Sequence, residues 1–123
     1  MSGREILIVE DEQITAMEVQ SMLEEMDYNV VGIEDTGKAA LEVLEENSVD
    51  LVIMDIRLPG GMDGIETTRR INEEHDVPVI YFSAYSDDQT LEGARETEPA
   101  GFLIKPITKE DLRSSVEIAL EKN

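Results

Sequence analysis

A chain of 123 residues with no cysteine fits one domain, long enough to bury a core without disulfides or a thiolate-bound metal. Its formal charge of −19, from 29 acidic against 10 basic residues, argues against a direct nucleic-acid or membrane-surface role, because clustered cations hold phosphate groups. The N-terminal apolar run ILIV is too short for a signal-peptide core, and no stretch approaches the roughly 18 apolar residues of a membrane span; the expectation is a soluble cytoplasmic protein of one domain, residues 1–123.

In chain order, Ile6–Val9 predicts a first strand. A helix from about Glu12 to Met26 follows, with Ile14, Met17, Val19, Met22, Leu23 and Met26 as its apolar face near the 3.6-residue period. Val30–Ile33 predicts a second strand and Ala40, Val43 and Leu44 the face of a second helix. The third unit is Leu51–Met54 with a helix over Ile65 to Glu74, and the fourth is Val77–Phe82 with a helix over Asp88 to Glu96. These two helices have thin apolar faces, the fourth thinnest. Phe102–Ile104 predicts the fifth strand, and Leu112, Val116, Ala119 and Leu120 the last helix, opened by Thr108 as N-cap with Asp111 three positions on. Alternating strands and helices specify an α/β fold, a parallel sheet covered on both faces. We expect a doubly wound (βα)5 three-layer sandwich with strand order 2-1-3-4-5.

Ligands in such sheets bind beyond the carboxyl ends of the strands, so the residues after each run carry the chemistry. Strand one ends in Glu10 and Asp11, strand three in Asp55, strand four in Ser83 and strand five in Lys105. With strands one and three adjacent, Glu10, Asp11 and Asp55 converge, and three crowded carboxylates need a compensating cation. Lys105 is one; a divalent metal is the other, and oxygen-only ligands favour Mg²⁺ or Mn²⁺ over zinc. An Asp55 carboxylate held there is a nucleophile toward a phosphoryl group, with the Ser83 hydroxyl and Lys105 stabilising the transferring oxygens.

The acidic pair in ILIVEDE, the aspartate in LVIMDIRLPGGMDG, the serine in PVIYFSAY and the lysine in GFLIKPI together resemble the CheY-like receiver domain of two-component response regulators, over the whole chain. That resemblance implies the flavodoxin-like fold, Asp55 as phosphoacceptor, and Mg²⁺ held by Glu10, Asp11, Asp55 and the backbone carbonyl of Arg57. It implies phosphoryl contacts from Ser83 and Lys105, with Ser83 and Phe102 as switch residues. It also implies phosphoryl donation by a sensor histidine kinase or phosphotransfer protein, and a downstream partner or fused output domain. The responsive face would be helix 4, strand 5 and helix 5, residues Tyr85 to Gly93 and Phe102 to Ser114, where a homodimer could also form. Lys105–Pro106 is expected to be cis. Three features depart from the common pattern: an extra glycine in LPGGMDG, serine where threonine is also common, and phenylalanine where tyrosine is common.

Other residues have plainer accounts. His75, the only histidine, reads as a solvated loop residue at the exposed end of helix three, and the methionines as packing. Gly60, Gly61 and Gly64 read as turn glycines, since no phosphate-cradling glycine pattern accompanies them. The chain stops at LEKN after the last predicted helix, so no output domain is expected within it. Two rival readings stay open at this level: a flavodoxin-like flavin or small-molecule binder, disfavoured by the absence of tryptophan and of a glycine loop, and a receiver-like module that only docks.

Overall fold

In the computed structural model, which describes residues 3–84 and 87–121, strands and helices alternate without interruption. They are β1 (Glu5–Val9), α1 (Gln13–Glu25), β2 (Asn29–Glu34), α2 (Gly37–Glu46), β3 (Leu51–Asp55), α3 (Gly64–Glu74), β4 (Val79–Ser83), α4 (Asp88–Glu96), β5 (Gly101–Ile104) and α5 (Lys109–Glu121). The sheet order is β2-β1-β3-β4-β5, with every neighbouring pair parallel. This is the expected doubly wound three-layer fold. Tyr85, included in the responsive face expected above, lies outside the described residues.

The period of two along each strand sorts side chains into two cores. Ile6, Ile8, Leu51, Ile53, Ile80 and Phe82 pack with Ala16, Val19 and Leu23 of α1 and Leu112, Val116 and Ala119 of α5. Leu7, Val9, Val52, Met54 and Tyr81 pack on the other face with Ala40 and Leu44 of α2, Ile71 of α3 and Ala94 of α4. Ile6–Val9, Leu51–Met54 and Val79–Phe82 of β1, β3 and β4 therefore read as continuous apolar runs, because both faces of these strands are covered. At the sheet edge, the β1–β2 register slips between Ile6 and Leu7, so Val30 and Gly32 take successive partners and Val31 is skipped.

Local chemistry sets the helix starts. Thr36 accepts from the Ala39 N–H at 3.1 Å, Asp63 from Glu66 at 2.9 Å, Asp87 from Thr90 at 3.1 Å and, as expected, Thr108 from Asp111 at 3.1 Å. Each satisfies an amide that the helix itself leaves without an acceptor. Pro78 has no N–H, and β4 begins after it at Val79 rather than at Val77.

Three sequence expectations need correction. Ile14 and Met17 are 76% and 58% exposed, because α1 buries the narrower stripe Ala16, Val19 and Leu23; at 100° per residue, Ile14 and Met17 fall on the opposite side of that stripe. His75 is not a solvated loop residue: it is half-buried, caps the C-terminal end of α3, and its Nε2 is buried with no hydrogen-bond partner among the described residues. Gly64 is not a turn glycine but the first residue of α3. A Cβ there would lie 2.1 Å from the Asp55 carbonyl oxygen, while its N–H donates to the Ile56 carbonyl at 2.7 Å. Gly60, with φ of +92°, does serve a turn.

Two predictions follow from this packing and charge. Gly64→Ala should destabilise the domain by roughly 1–3 kcal/mol through overpacking, read as a lower urea midpoint; an unchanged midpoint would mean that α3 can slide off β3 freely. Ten cations cannot neutralise 29 carboxylates, so mutual repulsion should ease as the screening length falls from about 10 Å at 0.1 M salt to about 3 Å at 1 M. The thermal midpoint should therefore rise over that range of KCl, and a falling midpoint would contradict the repulsion argument.

Candidate functional site

The period of two also places the charges. Glu10 continues the file Ile6, Ile8 on the face toward α1 and α5, and Asp55 continues Leu51, Ile53 on the same face. β1 and β3 are paired through Val9 and Met54, so the two carboxylates emerge side by side where their strands end. An aspartate can terminate the fully buried strand LVIMD because the core stops there and a cation meets it.

That cation is Lys105. Its Nζ donates to Glu10 Oε1 at 2.5 Å and to Asp55 Oδ2 at 3.1 Å, and side-chain exposures of 16%, 0% and 7% for Lys105, Glu10 and Asp55 remove the triad from bulk solvent. Burial is the largest single influence on the ammonium and opposes its charge, but the hydrogen bonds and charges of Glu10 and Asp55 together outweigh it and raise the Lys105 pKa. A raised pKa means that this contribution to stability is fully present below the ordinary lysine value and is lost only as pH climbs through the folded one. The ammonium is thus charged throughout the neutral range. It also sits 4.9 Å from the centroid of the Phe82 ring, within cation–π range.

Backbone contacts hold these groups in place. The Lys105 N–H donates to the Ser83 carbonyl at 2.8 Å, which locks the end of β5 against the end of β4, and the Lys105–Pro106 bond is cis, as expected. Glu10 Oε2 accepts from the Glu12 N–H at 3.0 Å, and Asp55 Oδ1 from the Arg57 N–H at 3.3 Å. Asp11 is exposed beside the buried pair. Carboxylate oxygens of Glu10, Asp11 and Asp55 all lie within 4.8 Å of one another, a hard, oxygen-only donor set.

The structure brings Glu10, Asp11, Asp55 and Lys105 together at one end of the sheet. Ser83 lies fully buried at the end of β4. Phe102 is half-buried on the opposite face, opposite Tyr81 in the β4–β5 register, with ring centroids 5.9 Å apart. Arg57 follows β3 and lines, with Asp11, Asp63 and Thr90, a cleft of about 620 Å³. Sequence reasoning missed Phe82, whose ring underlies the ammonium, and Gly64, whose missing side chain lets α3 rest on the Asp55 carbonyl. The first could have been found from its parity with Asp55 across the β3–β4 pair.

A family model described as the response regulator receiver domain matches residues 6–117. The transcriptional regulatory protein PdtaR of Mycobacterium tuberculosis is 34% identical over 119 residues, which cover 97% of this chain and 58% of that protein. The chain thus spans little more than half the length of that relative. The signal receiver domain of a modulated diguanylate cyclase from Desulfovibrio desulfuricans superposes with a TM-score of 0.93 at 32% identity, covering 98% of this chain and 96% of that one. The receiver domain of the sensor histidine kinase PA1611 from Pseudomonas aeruginosa, solved with a magnesium ion coordinated in its active-site cleft, gives 0.88 at 28% identity, covering 98% and 99%. Among the described residues no helix is long and apolar enough to cross a membrane. Four strand ends carrying two acids, an acid, a serine and a lysine, on a sheet of this order and with these relatives, lead to one assignment: the chain belongs to the response regulator receiver domain family of two-component systems.

Proposed function

We propose that residues 1–123 form one receiver domain that works as a phosphorylation-dependent switch, with Asp55 as its phosphoacceptor. The observation that carries this reading is the clustering of the Glu10, Asp11 and Asp55 carboxylates, two of which, Glu10 and Asp55, meet a single ammonium. Three carboxylates against one Lys105 leave two negative charges, the complement of a divalent cation. Asp11, Asp55 and the Arg57 carbonyl would hold Mg²⁺. Both oxygens of Glu10 and both of Asp55 already accept from protein donors, so each would meet the ion through a remaining lone pair, through water or by releasing one of those bonds. When bound, the ion supplies charge neutralisation for the phosphoryl oxygens.

The donor is a phosphohistidine of a sensor histidine kinase or phosphotransfer protein. An Asp55 carboxylate oxygen attacks phosphorus, the P–N bond breaks, and the imidazole leaves with its electron pair and takes up a proton. Water later cleaves the acyl phosphate and restores the carboxylate. Lys105 is already within hydrogen-bond reach of Asp55 and turns toward the incoming phosphoryl oxygens, while the Ser83 hydroxyl donates to another. Catalysis here is positioning and charge stabilisation with no covalent help from other side chains, which limits the enzymatic role to the domain's own phosphorylation and dephosphorylation.

The signal then leaves through packing. Phosphorylation adds roughly 1.5 to 2 negative charges at Asp55. Ser83, Tyr81 and Phe102 share the face opposite Asp55 by strand parity and register. An inward shift of Ser83 opens space for the Phe102 ring and alters the surface of α4, β5 and α5. Support comes from α4 burying only Ala94, from a cavity of about 570 Å³ lined by Leu91, Arg95, Pro99 and Phe102, and from exposed Ile104 and Ile118 on that side. This surface would receive a downstream partner, a fused output domain or a second copy. The chain would touch neither nucleic acid nor membrane directly and would act in the cytoplasm.

Incubation with acetyl phosphate and Mg²⁺ should add one phosphoryl mass to the wild type and none to Asp55→Asn, read by intact-mass spectrometry. Phosphorylation of Asp55→Ala at another site would sink the acceptor assignment. Mg²⁺ affinity should fall at least about tenfold in Asp11→Ala, since so few protein oxygens hold the ion; equal titrations for both proteins would remove Asp11 from the site. Beryllofluoride, a phosphoryl mimic, should shift backbone NMR signals of Asp88 to Gly93 and Phe102 to Ser114. Shifts confined to residues touching Asp55 would refute the switch and leave the acceptor standing.

A further inference from the structure

Tyr81 is a fully buried polar side chain that the phosphoacceptor chemistry does not use. Strand parity turns it away from Asp55 and toward α3 and α4, in the core that contains Ile71 and Ala94. Its hydroxyl lies 2.7 Å from Thr97 Oγ1. The single Thr97 hydroxyl proton goes to the Ala94 carbonyl, at 2.6 Å, so Tyr81 is the donor in the Tyr81–Thr97 bond. From α3, Asn72 Nδ2 donates to the Thr97 carbonyl at 2.9 Å. Burial is the main influence on the Tyr81 phenol; it raises the pKa and keeps the group neutral. The last turn of α4 is therefore tied to β4 by the buried Tyr81 and to α3 by Asn72 at the surface.

Two further features mark this end of α4 as fixed. Glu98, directly after Thr97, has φ of +53°, a conformation that costs a non-glycine residue free energy and persists only where surrounding contacts impose it. The Tyr81 ring also meets Phe102, centroids 5.9 Å apart and planes tilted by 55°. The N-terminal end of α4 is held differently: Asp87 accepts from the Thr90 N–H at 3.1 Å and the Thr90 hydroxyl at 2.8 Å, bonds internal to the helix start. Gln89 and Thr90 line the cleft over the acidic site.

We infer that Tyr81 is a clamp on the C-terminal end of α4: the helix pivots about Ala94–Thr97, its N-terminal half follows the state of Asp55, and the Tyr81 ring is the backstop for Phe102. The motion rests on the switch reading above, whereas the clamp is a property of the resting domain and can be tested without it. Tyr81 is a positioning residue in this scheme and touches no reacting atom.

The experiment is amide hydrogen exchange on the full chain, with and without beryllofluoride, for wild type, Tyr81→Phe and Thr97→Ser. Tyr81→Phe keeps the ring and its contact with Phe102 but removes the donor, and Thr97→Ser keeps the hydroxyl as a conservative control. Without beryllofluoride, Tyr81→Phe should speed exchange at 94–98 by roughly three- to tenfold, the range expected for one lost hydrogen bond, and leave 88–91 within about twofold; Thr97→Ser should match the wild type. With beryllofluoride, the wild type should change at 88–91 and stay nearly constant at 94–97, whereas in Tyr81→Phe the change should extend to Glu98. Unaltered exchange at 94–98 in unliganded Tyr81→Phe, or a wild-type response of equal size along all of α4, would overturn the clamp. A clamp effect in the unliganded protein with no beryllofluoride response in α4 would instead uphold the clamp and overturn the switch reading.

Discussion

One ammonium set between two buried carboxylates is the constraint on which this end of the domain depends. Glu10 and Asp55 follow the apolar runs Ile6–Val9 and Leu51–Met54, and burying a carboxylate there is costly unless a cation meets it. Lys105 meets both only because β5 lies two strands from β3 with its end held level by the Ser83–Lys105 backbone bond. Strand order, register and the turn into Pro106 thus all bear on the position of one nitrogen atom. Phe82 adds a ring beneath it, so the ammonium has carboxylates on one side and a π face on another.

A second consequence of strand parity is a division of labour between the two faces of the sheet. The face toward α1 and α5 ends in Glu10, Asp55, Phe82 and Lys105, where charge is handled. The face toward α3 and α4 carries Tyr81, Ser83 and Phe102, where packing is handled. Phe82 and Ser83, neighbours along β4, point to different faces, so the charged face and the packed face are one residue apart where that strand ends.

Most of this was legible in the sequence because the residues concerned obey strong local rules. Short apolar, β-branched runs marked all five strands, and the residues just past them marked the site. Thr108 as a cap was readable from its spacing to Asp111. What escaped depended on neighbours that sequence distance conceals. Ile14 and Met17 fit a helical period as well as Val19 does, but which stripe faces the sheet is decided by where β1 and β2 lie. Gly64 looked like punctuation, because nothing in GMDG tells that a carbonyl nine residues earlier will occupy the place of its side chain. His75 was read as solvated from the charges around it, yet the end of α3 folds its ring inward. Tyr81 sits in a run where any apolar residue would suit, and only the packed helices reveal a use for its hydroxyl.

The slipped register between β1 and β2 bears on how the molecule behaves in a crowd. β2 is an outer strand, and outer strands offer unpaired amides and carbonyls to any other chain that drifts alongside. Skipping Val31 breaks the regular spacing that such a visitor would need, and adds twist at the place where it would dock. β5, at the opposite border, is only four residues long. With both borders ill-suited to templating and a net charge of −19 keeping copies apart, any association between copies has to rely on side chains. That leaves assembly open to control by rearrangements of side-chain packing, which a continuous backbone ladder between molecules would override.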